Sequence, residues 1–191
     1  MIITAEELRF KEPTVDDAKW AAPMLRNVGM NACEFSFNTI WMWRKYYNNQ
    51  VALKDGVLLV RSGDVEPLYL LPVAGDMRRN IEFLLSYEHD RGEKLLLFGA
   101  DSNMKSQIEQ WYPGLFEWEP SAADFDYIYN TEDLALLGGR KYHSKRNHIA
   151  AFEAQYEWSY EQITRDNSEE VTAMVAEWCR ERGNCSDPGL R

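Results

Sequence analysis

The dipeptide Asp55-Gly56 lies between two short apolar runs, and it restricts the fold of this chain more than any other local feature. Asp-Gly between β-prone segments is a strong signal for a two-residue hairpin turn, because both turn positions need a positive φ. Residues 51–53, 57–61 and 68–73 are rich in Val and Leu, and turn-forming residues separate them. The pattern predicts an antiparallel meander of two hairpins in series.

After residue 75 the periodicity changes from strands to units of a helix followed by a strand. Asp76 can cap a helix whose apolar residues share one face, and Asp101 or Ser102 can cap the next one. This pattern predicts an α/β (α+β) chain with a mixed central sheet flanked by helices. The other predicted elements are helices at 31–48 (with Asn31 as its cap), 141–154 and 168–182, and strands at 94–98, 115–119, 124–129 and 156–160.

Composition narrows the possible functions. The 191 residues are 45% hydrophobic and include seven Trp, so the chain can form a core. The formal net charge of −10 opposes broad binding to nucleic acid or to an anionic membrane, so any anion site must be local. The sequence has no apolar run of about 20 residues, and its first residues include Glu6 and Glu7 rather than an export signal. We expect a cytoplasmic protein without a membrane span.

Residues 137–149, LGGRKYHSKRNHI, form the most unusual local sequence. At about 100° per helical residue, Lys141, Lys145 and His148 fall within a narrow arc. Two glycines let the backbone approach a ligand at the helix start, where unpaired N–H groups favour phosphate or carboxylate. The segment therefore predicts an anion-binding site made of Gly138, Gly139, Arg140, Lys141, Lys145, Arg146 and Asn147.

An alternative interpretation gives this basic segment no ligand. The glycines would then form only a loop, and the cations would form a solvated face paired with acids such as Asp126, Glu132 or Asp133. A cation at a helix N-terminus opposes the helix dipole by roughly 0.3–1 kcal/mol. Arg140 and Lys141 at that end are easier to explain if an anion is bound, which favours the anion site.

Tyr142 and His143 are the candidates for catalysis. An amine that attacks an acyl group must lose a proton, which a phenol or an imidazole can carry, and Asn147 is spaced to orient His143. No metal site is predicted, because His143 and His148 are poorly aligned on one helical face and the three cysteines, read as reduced thiols, lack zinc-ligand spacing. The G-x-S-x-G, P-loop and G-x-G-x-x-G motifs are also absent from the sequence.

Two segments carry a resemblance to a known family. The first is CEFSFNTIWMW at 33–43 with the following Tyr46 and Tyr47. The second is DYIYNTEDL at 126–134, which leads into GRKYHSKRNHI at 139–149. Over nearly the whole chain, the sequence resembles a bacterial family related to the C-terminal catalytic domain of phosphatidylglycerol lysyltransferases.

The resemblance implies two GNAT-type acyltransferase folds in tandem, as in the peptidoglycan aminoacyltransferases that use charged tRNA. Residues 1–155 would form the first GNAT-like domain, and residues 156–191 would begin a second domain that is truncated here. The membrane-spanning half of the lysyltransferases is not matched, so a lipid acceptor is not implied. The pyrophosphate loop of simple acetyltransferases is also missing, which weakens a coenzyme A assignment to the first fold.

The expected function is the transfer of an acyl or aminoacyl group from an activated carrier to an amine or a hydroxyl. Acyl-coenzyme A and aminoacyl-tRNA are the donors considered, no cofactor is firmly implied, and the expected partner is a phosphate-bearing carrier such as tRNA. This chain alone is expected to be inactive. The alternative is a non-catalytic module that binds a phosphorylated metabolite or acts as a scaffold in a larger protein.

Overall fold

The computed structural model describes residues 8–30, 32–122 and 125–182. The chain divides into two compact units, Met1–Ala122 and Ala123–Arg191. The first unit contains a four-stranded sheet with helices, and the described part of the second contains helices joined by segments without regular secondary structure. Asn31 and Asp124, which the sequence analysis placed at a helix cap and in a strand, lie outside the described residues.

The hairpin predicted at Asp55-Gly56 is confirmed. β1 (Gln50–Lys54) and β2 (Val57–Ser62) pair antiparallel on either side of it. Asp55 has a φ of 49° and Gly56 a φ of 78°, the two positive values that a type I′ turn requires. β3 (Leu68–Leu70) pairs antiparallel with β2 and completes the predicted meander.

A crossover helix then makes the sheet mixed. α3 (Met77–Asp90) begins after Asp76, whose carboxylate accepts a hydrogen bond from the backbone N–H of Arg79 at 3.1 Å. The chain continues to β4 (Leu96–Phe98), which pairs parallel with β3. The sheet order is β1-β2-β3-β4, so the predicted mixed sheet with flanking helices is confirmed. The other α-helices described in this unit are α1 (Ala18–Arg26), α2 (Phe37–Met42) and α4 (Ser102–Trp111), which Asp101 caps as predicted.

Helices cover both faces of the sheet, because successive strand residues point to opposite sides. Val60 packs into a buried cluster with Ala21 of α1 and Ile40 of α2. Its neighbour Leu59 packs into a different cluster with Leu84 of α3. The first unit therefore has a core on each side of the sheet.

The helix predicted over 31–48 is broken in the structure. A 3-10 turn at Cys33–Phe35 and an extended Ser36 come before the short helix α2, and the chain then turns towards β1. The buried Asn49 fixes this turn, since its side-chain amide donates to the carbonyl of Ile40 at 2.9 Å. A single continuous helix would not place these groups together.

The strands predicted at 115–119, 124–129 and 156–160 are not formed in the described part of those segments. A strand needs a neighbour that satisfies its backbone N–H and C=O groups. In the described chain, every strand belongs to the sheet of the first unit, so an alternating pattern alone does not produce a strand here.

The second unit, taken by itself, is exposed almost throughout. Among residues 125–182, Tyr142 is the one that is buried.

Cys179 is disulfide-bonded, so the prediction of a reduced thiol is wrong for this residue. None of the helices in the described residues combines the length and the apolar character that a membrane crossing needs. The α-helices described here are α5 (Thr131–Leu136), α6 (His143–Gln155) and α7 (Ser168–Arg182), which confirm the helices predicted at 141–154 and 168–182.

Asp17 is a buried acid at the start of α1. Its carboxylate accepts hydrogen bonds from Lys11 Nζ at 2.7 Å, from the N–H and hydroxyl of Thr14 at 2.8 Å, and from the Trp20 indole at 2.9 Å. Burial opposes the charged form, but the hydrogen bonds outweigh burial and hold the pKa of Asp17 well below its usual value. The ionised carboxylate therefore stabilises this corner of the fold.

Tyr69 and Glu88 form a buried polar contact between β3 and α3. Both residues are 0% exposed, and the Tyr69 hydroxyl donates to Oε1 of Glu88. The other carboxyl oxygen, Oε2, lies 3.6 Å from Nε of Arg91. Burial, together with the hydrogen bond to Glu88, raises the pKa of Tyr69 well above its usual value.

Replacing Asp17 with Asn is expected to lower the free energy of unfolding by roughly 1–3 kcal/mol at pH 7. The pKa of Asp17 is lower in the folded than in the unfolded chain, so its contribution is complete above the unfolded pKa of about 3.9 and is lost as the pH falls below it. Urea unfolding of both proteins from pH 7 to pH 3 measures the difference. The matched control is Asp16→Asn, whose side chain is 87% exposed, and its effect should stay within about 0.5 kcal/mol. If Asp17→Asn lowers the free energy of unfolding by the same amount at pH 7 and at pH 3, the prediction is contradicted.

Replacing Tyr69 with Phe is expected to lower the free energy of unfolding by about 1–3 kcal/mol, because the buried Glu88 carboxyl group loses its hydrogen-bond donor. Adding Glu88→Leu to Tyr69→Phe should recover part of that loss, since the orphaned polar group is then gone. Thermal and urea unfolding measure both effects. The control is Tyr46→Phe, at a residue that is 54% exposed. Equal losses for the two Tyr→Phe variants would refute the role of the buried contact.

Candidate functional site

The basic segment 137–149 begins with a reversal of the chain between α5 and α6. Leu137 has a φ of 48° and Gly139 a φ of 82°. The left-handed conformation costs a residue with a side chain about 1–2 kcal/mol. A Cβ on Gly138 or Gly139 would meet no atom within 4 Å, so the backbone angle at Gly139 is what requires a glycine. The sequence pattern pointed to both glycines and gave no signal for the strain at Leu137.

Arg146 is bonded to the backbone of this loop. Its Nη1 donates to the carbonyl oxygen of Leu137 and to that of Gly139, the second at 2.9 Å. Carbonyl groups that follow a helix end have no partner within the helix, so a side chain that reaches them satisfies them. The guanidinium predicted to contact an anion therefore contacts the protein's own loop.

Lys141 pairs with Asp133 of α5. Its Nζ lies 2.9 Å from Oδ2 of Asp133 and 4.8 Å from the ring centroid of Tyr142. The hydrogen bond to Asp133 raises the pKa of Lys141. Both side chains are exposed, and such pairs contribute little to stability. Of the acids that the sequence proposed as partners, Asp133 is the one that Lys141 contacts.

Arg140, Lys145 and His148 are exposed to solvent. Lys145 and His148 are three residues apart on α6, which places their side chains next to each other on one face. Arg140 lies in the 3-10 turn Arg140–Tyr142 that leads into α6. We call these three exposed residues the basic face.

The predicted catalytic residues differ in accessibility. Tyr142 is 6% exposed and has Lys141 against its ring. His143 is exposed at the first position of α6, and its Nε2 lies 3.2 Å from Nδ2 of Asn147. His143 is therefore the more accessible of the two residues, and it lies next to Asn147, as the spacing predicted.

The orientation of the Asn147 amide determines whether His143 has a ring nitrogen that is free to accept a proton. An amide N–H can only donate, so Nδ2 facing the ring occupies the lone pair of Nε2 and leaves the proton on Nδ1. With Oδ1 facing the ring, Nε2 carries the proton and Nδ1 is the basic nitrogen. In both orientations the contact fixes the imidazole on the surface of α6.

A comparison with protein families matches most of the chain. The model of the family described as phosphatidylglycerol lysyltransferase, C-terminal, matches residues 25–188. This range contains the four-stranded sheet and the entire basic segment 137–149. No curated protein matches the chain.

One solved structure gives an independent comparison. It is the crystal structure of a conserved protein of unknown function from Bacteroides thetaiotaomicron VPI-5482, which is similar to this chain with a TM-score of 0.82 at 28% sequence identity. The similarity covers 96% of this chain and 65% of the other, so this chain spans less than two thirds of that protein's length. Because the family model covers far more than half of the sequence, the chain belongs to the phosphatidylglycerol lysyltransferase C-terminal family.

Proposed function

We propose that this chain is part of an aminoacyltransferase that moves an aminoacyl group from its tRNA to an amine or hydroxyl acceptor. The observation that carries the proposal is the family match over residues 25–188, which includes the basic face. Lysyl transfer, which the family description names, is an aminoacyl transfer. Acyl-coenzyme A is the second donor considered, and the missing pyrophosphate loop counts against it.

We also propose that the fold is GNAT-like and tandem, with a first domain at 1–155 and the start of a second at 156–191. This first domain would comprise the first compact unit together with α5 and α6, which belong to the second compact unit. The mixed sheet with a crossover helix supports the first domain. The extra length of the Bacteroides protein supports a second one. In water, isolated helices shorter than about 12–15 residues are marginal. The exposed helices α5 and α6 therefore need packing that a second fold would supply.

In this proposal the basic face binds the phosphates of the carrier. Arg140 and Lys145 are the first contacts, because they are exposed to solvent. Lys141 joins them by exchanging Asp133 for a phosphate, and this exchange costs little because the pair is exposed. An acidic chain can still bind phosphates here, because the cations lie close together. Salt at 0.1 M screens the repulsion between the phosphates and acidic side chains that are more than about 10 Å away.

The transfer itself needs orientation and one proton relay. The acceptor nitrogen or oxygen attacks the ester carbonyl of the donor, a new C–N or C–O bond forms, and the C–O bond to the tRNA ribose breaks. We assign the amide of Asn147 the orientation in which Oδ1 faces the ring and accepts from Nε2, which is the reverse of the contact between Nδ2 and Nε2 described above. Nδ1 of His143 then takes the proton from the acceptor and returns it to the leaving ribose oxygen. Holding both reactants in place lowers the barrier further without a covalent enzyme intermediate.

A non-catalytic binding module is the second candidate function. The observation that favours it is that Lys141 and Arg146 contact the protein itself, which leaves a smaller surface for a carrier. Such a module would bind tRNA or a phosphorylated metabolite with no transfer. Binding without turnover by the intact protein, with amines and alcohols supplied as acceptors, would favour this function over the transferase.

Replacing Arg140 and Lys145 together with Ala is expected to weaken tRNA binding by tenfold or more, because each cation that binds a phosphate contributes about 1 kcal/mol or more. The slope of log K against log salt should become shallower by about one for each phosphate that is no longer bound. Filter binding or fluorescence titration of the intact protein with aminoacyl-tRNA at several salt concentrations measures both quantities. Lys19→Ala is the matched control, because Lys19 is an exposed lysine of the first unit that pairs with Asp16. Unchanged binding by the double variant would rule out the basic face as the carrier site.

Two substitutions of Asn147 test the proton relay. Asn147→Asp keeps an oxygen that accepts from Nε2 of His143, so transfer should continue at a rate within about tenfold of the wild type. Asn147→Leu should slow transfer more than Asn147→Asp does, and His143→Gln should slow it by about 10²–10⁴-fold. Single-turnover transfer from lysyl-tRNA, with saturating donor and a panel of amines and alcohols, measures these rates. If His143→Gln transfers at the wild-type rate, His143 is not the proton carrier.

A further inference from the structure

We propose that Arg146 is a positioning residue that locks the loop between α5 and α6, and that it does not itself contact the carrier. One guanidinium nitrogen bridges the carbonyls of Leu137 and Gly139, the two positions of this loop with a positive φ. The effect on the loop is independent of the proposed function. The effect on carrier binding deepens that function and rests on it.

The bridge acts where the backbone is least stable by itself. Residues held in sparsely populated φ and ψ regions persist only when their surroundings fix them. Leu137 is such a residue, and packing against a core contributes little because the surrounding residues are mostly exposed. The hydrogen bonds from Arg146, with the backbone hydrogen bond from Leu137 to Asp133, are therefore what fixes the conformation.

The loop conformation decides where the basic face lies relative to α5. Gly139 immediately precedes the turn Arg140–Tyr142, so a change in its backbone angles moves Arg140 with respect to Lys145. Arg146 also neutralises the partial negative charge of two carbonyl oxygens close to the proposed anion site. An incoming phosphate would otherwise meet those oxygens without compensation.

A lysine cannot replace Arg146 in this role, although it can in direct phosphate binding. Both hydrogen bonds come from Nη1, whose N–H groups are fixed in the guanidinium plane. The Nζ of a lysine is one bond closer to the backbone, so it falls short of this position, and its ammonium is a flexible point charge. Positioning therefore depends on the shape of the side chain, and phosphate binding depends mainly on its charge. This difference separates the two roles experimentally.

Hydrogen exchange of the intact protein tests the positioning role without any ligand. Arg146→Lys and Arg146→Ala should both speed amide exchange in peptides covering 131–142, by roughly fivefold or more when hydrogen bonds of this size are removed. Lys145→Ala, the adjacent cation, should leave that exchange unchanged. Adding Leu137→Asn should partly restore protection in Arg146→Ala, since Asn tolerates the left-handed conformation better than Leu. Wild-type exchange in Arg146→Lys would overturn the proposal.

Titration with uncharged tRNA over a range of salt concentrations tests the consequence for binding. A positioning role predicts that Arg146→Lys loses as much affinity as Arg146→Ala and that neither variant changes the salt slope by the amount that Lys145→Ala does. Wild-type affinity in Arg146→Lys, with a shallower slope in Arg146→Ala, would identify Arg146 as a phosphate ligand and overturn the proposal. If the wild-type protein does not bind tRNA, the proposed function fails, while hydrogen exchange still decides the role of Arg146.

Discussion

The alternation of buried residues along the strands is the constraint on which the first unit depends. Val60 and Leu59 point to opposite sides of the same strand, so each side of the sheet needs its own cover. Helices α1 and α2 pack on the side of the sheet that Val60 faces, and α3 packs on the side that Leu59 faces. The crossover from β3 through α3 to β4 follows from this need, since a parallel pair requires a long connection over one face.

The two units hold their conformations by different means. In the first, apolar clusters and buried polar contacts such as Tyr69 with Glu88 fix the positions of helices on strands. In the second, the basic segment has little core around it, and hydrogen bonds from side chains to backbone or to acids fix it instead. The conformation of the candidate site therefore depends on a few polar contacts, of which the bridge made by Arg146 is one.

The four cations of the basic segment have two different environments: two contact other groups of the protein, and two are exposed to solvent. Arg146 contacts loop carbonyls and Lys141 contacts Asp133, whereas Arg140 and Lys145 are exposed. The sequence shows four cations within seven positions but cannot distinguish these roles, because the roles depend on how the chain reverses between α5 and α6. The strained Leu137 was invisible for the same reason, since a leucine carries no sequence signal for a left-handed backbone.

Local chemistry determined the elements that the sequence predicted correctly. The Asp55-Gly56 turn, the caps at Asp76 and Asp101, the helices near 141–154 and 168–182, and the family itself were all readable from short patterns. The tertiary structure decided what depends on distant neighbours. Alternating segments such as 156–160 formed no strand, because a strand exists only where another strand accepts its hydrogen bonds. The helix predicted over 31–48 is interrupted, because Asn49 donates a hydrogen bond to the carbonyl of Ile40 and the chain turns there into β1. Folding likewise assigned Arg146 to the loop, since only the folded backbone brings its guanidinium to the carbonyls of Leu137 and Gly139.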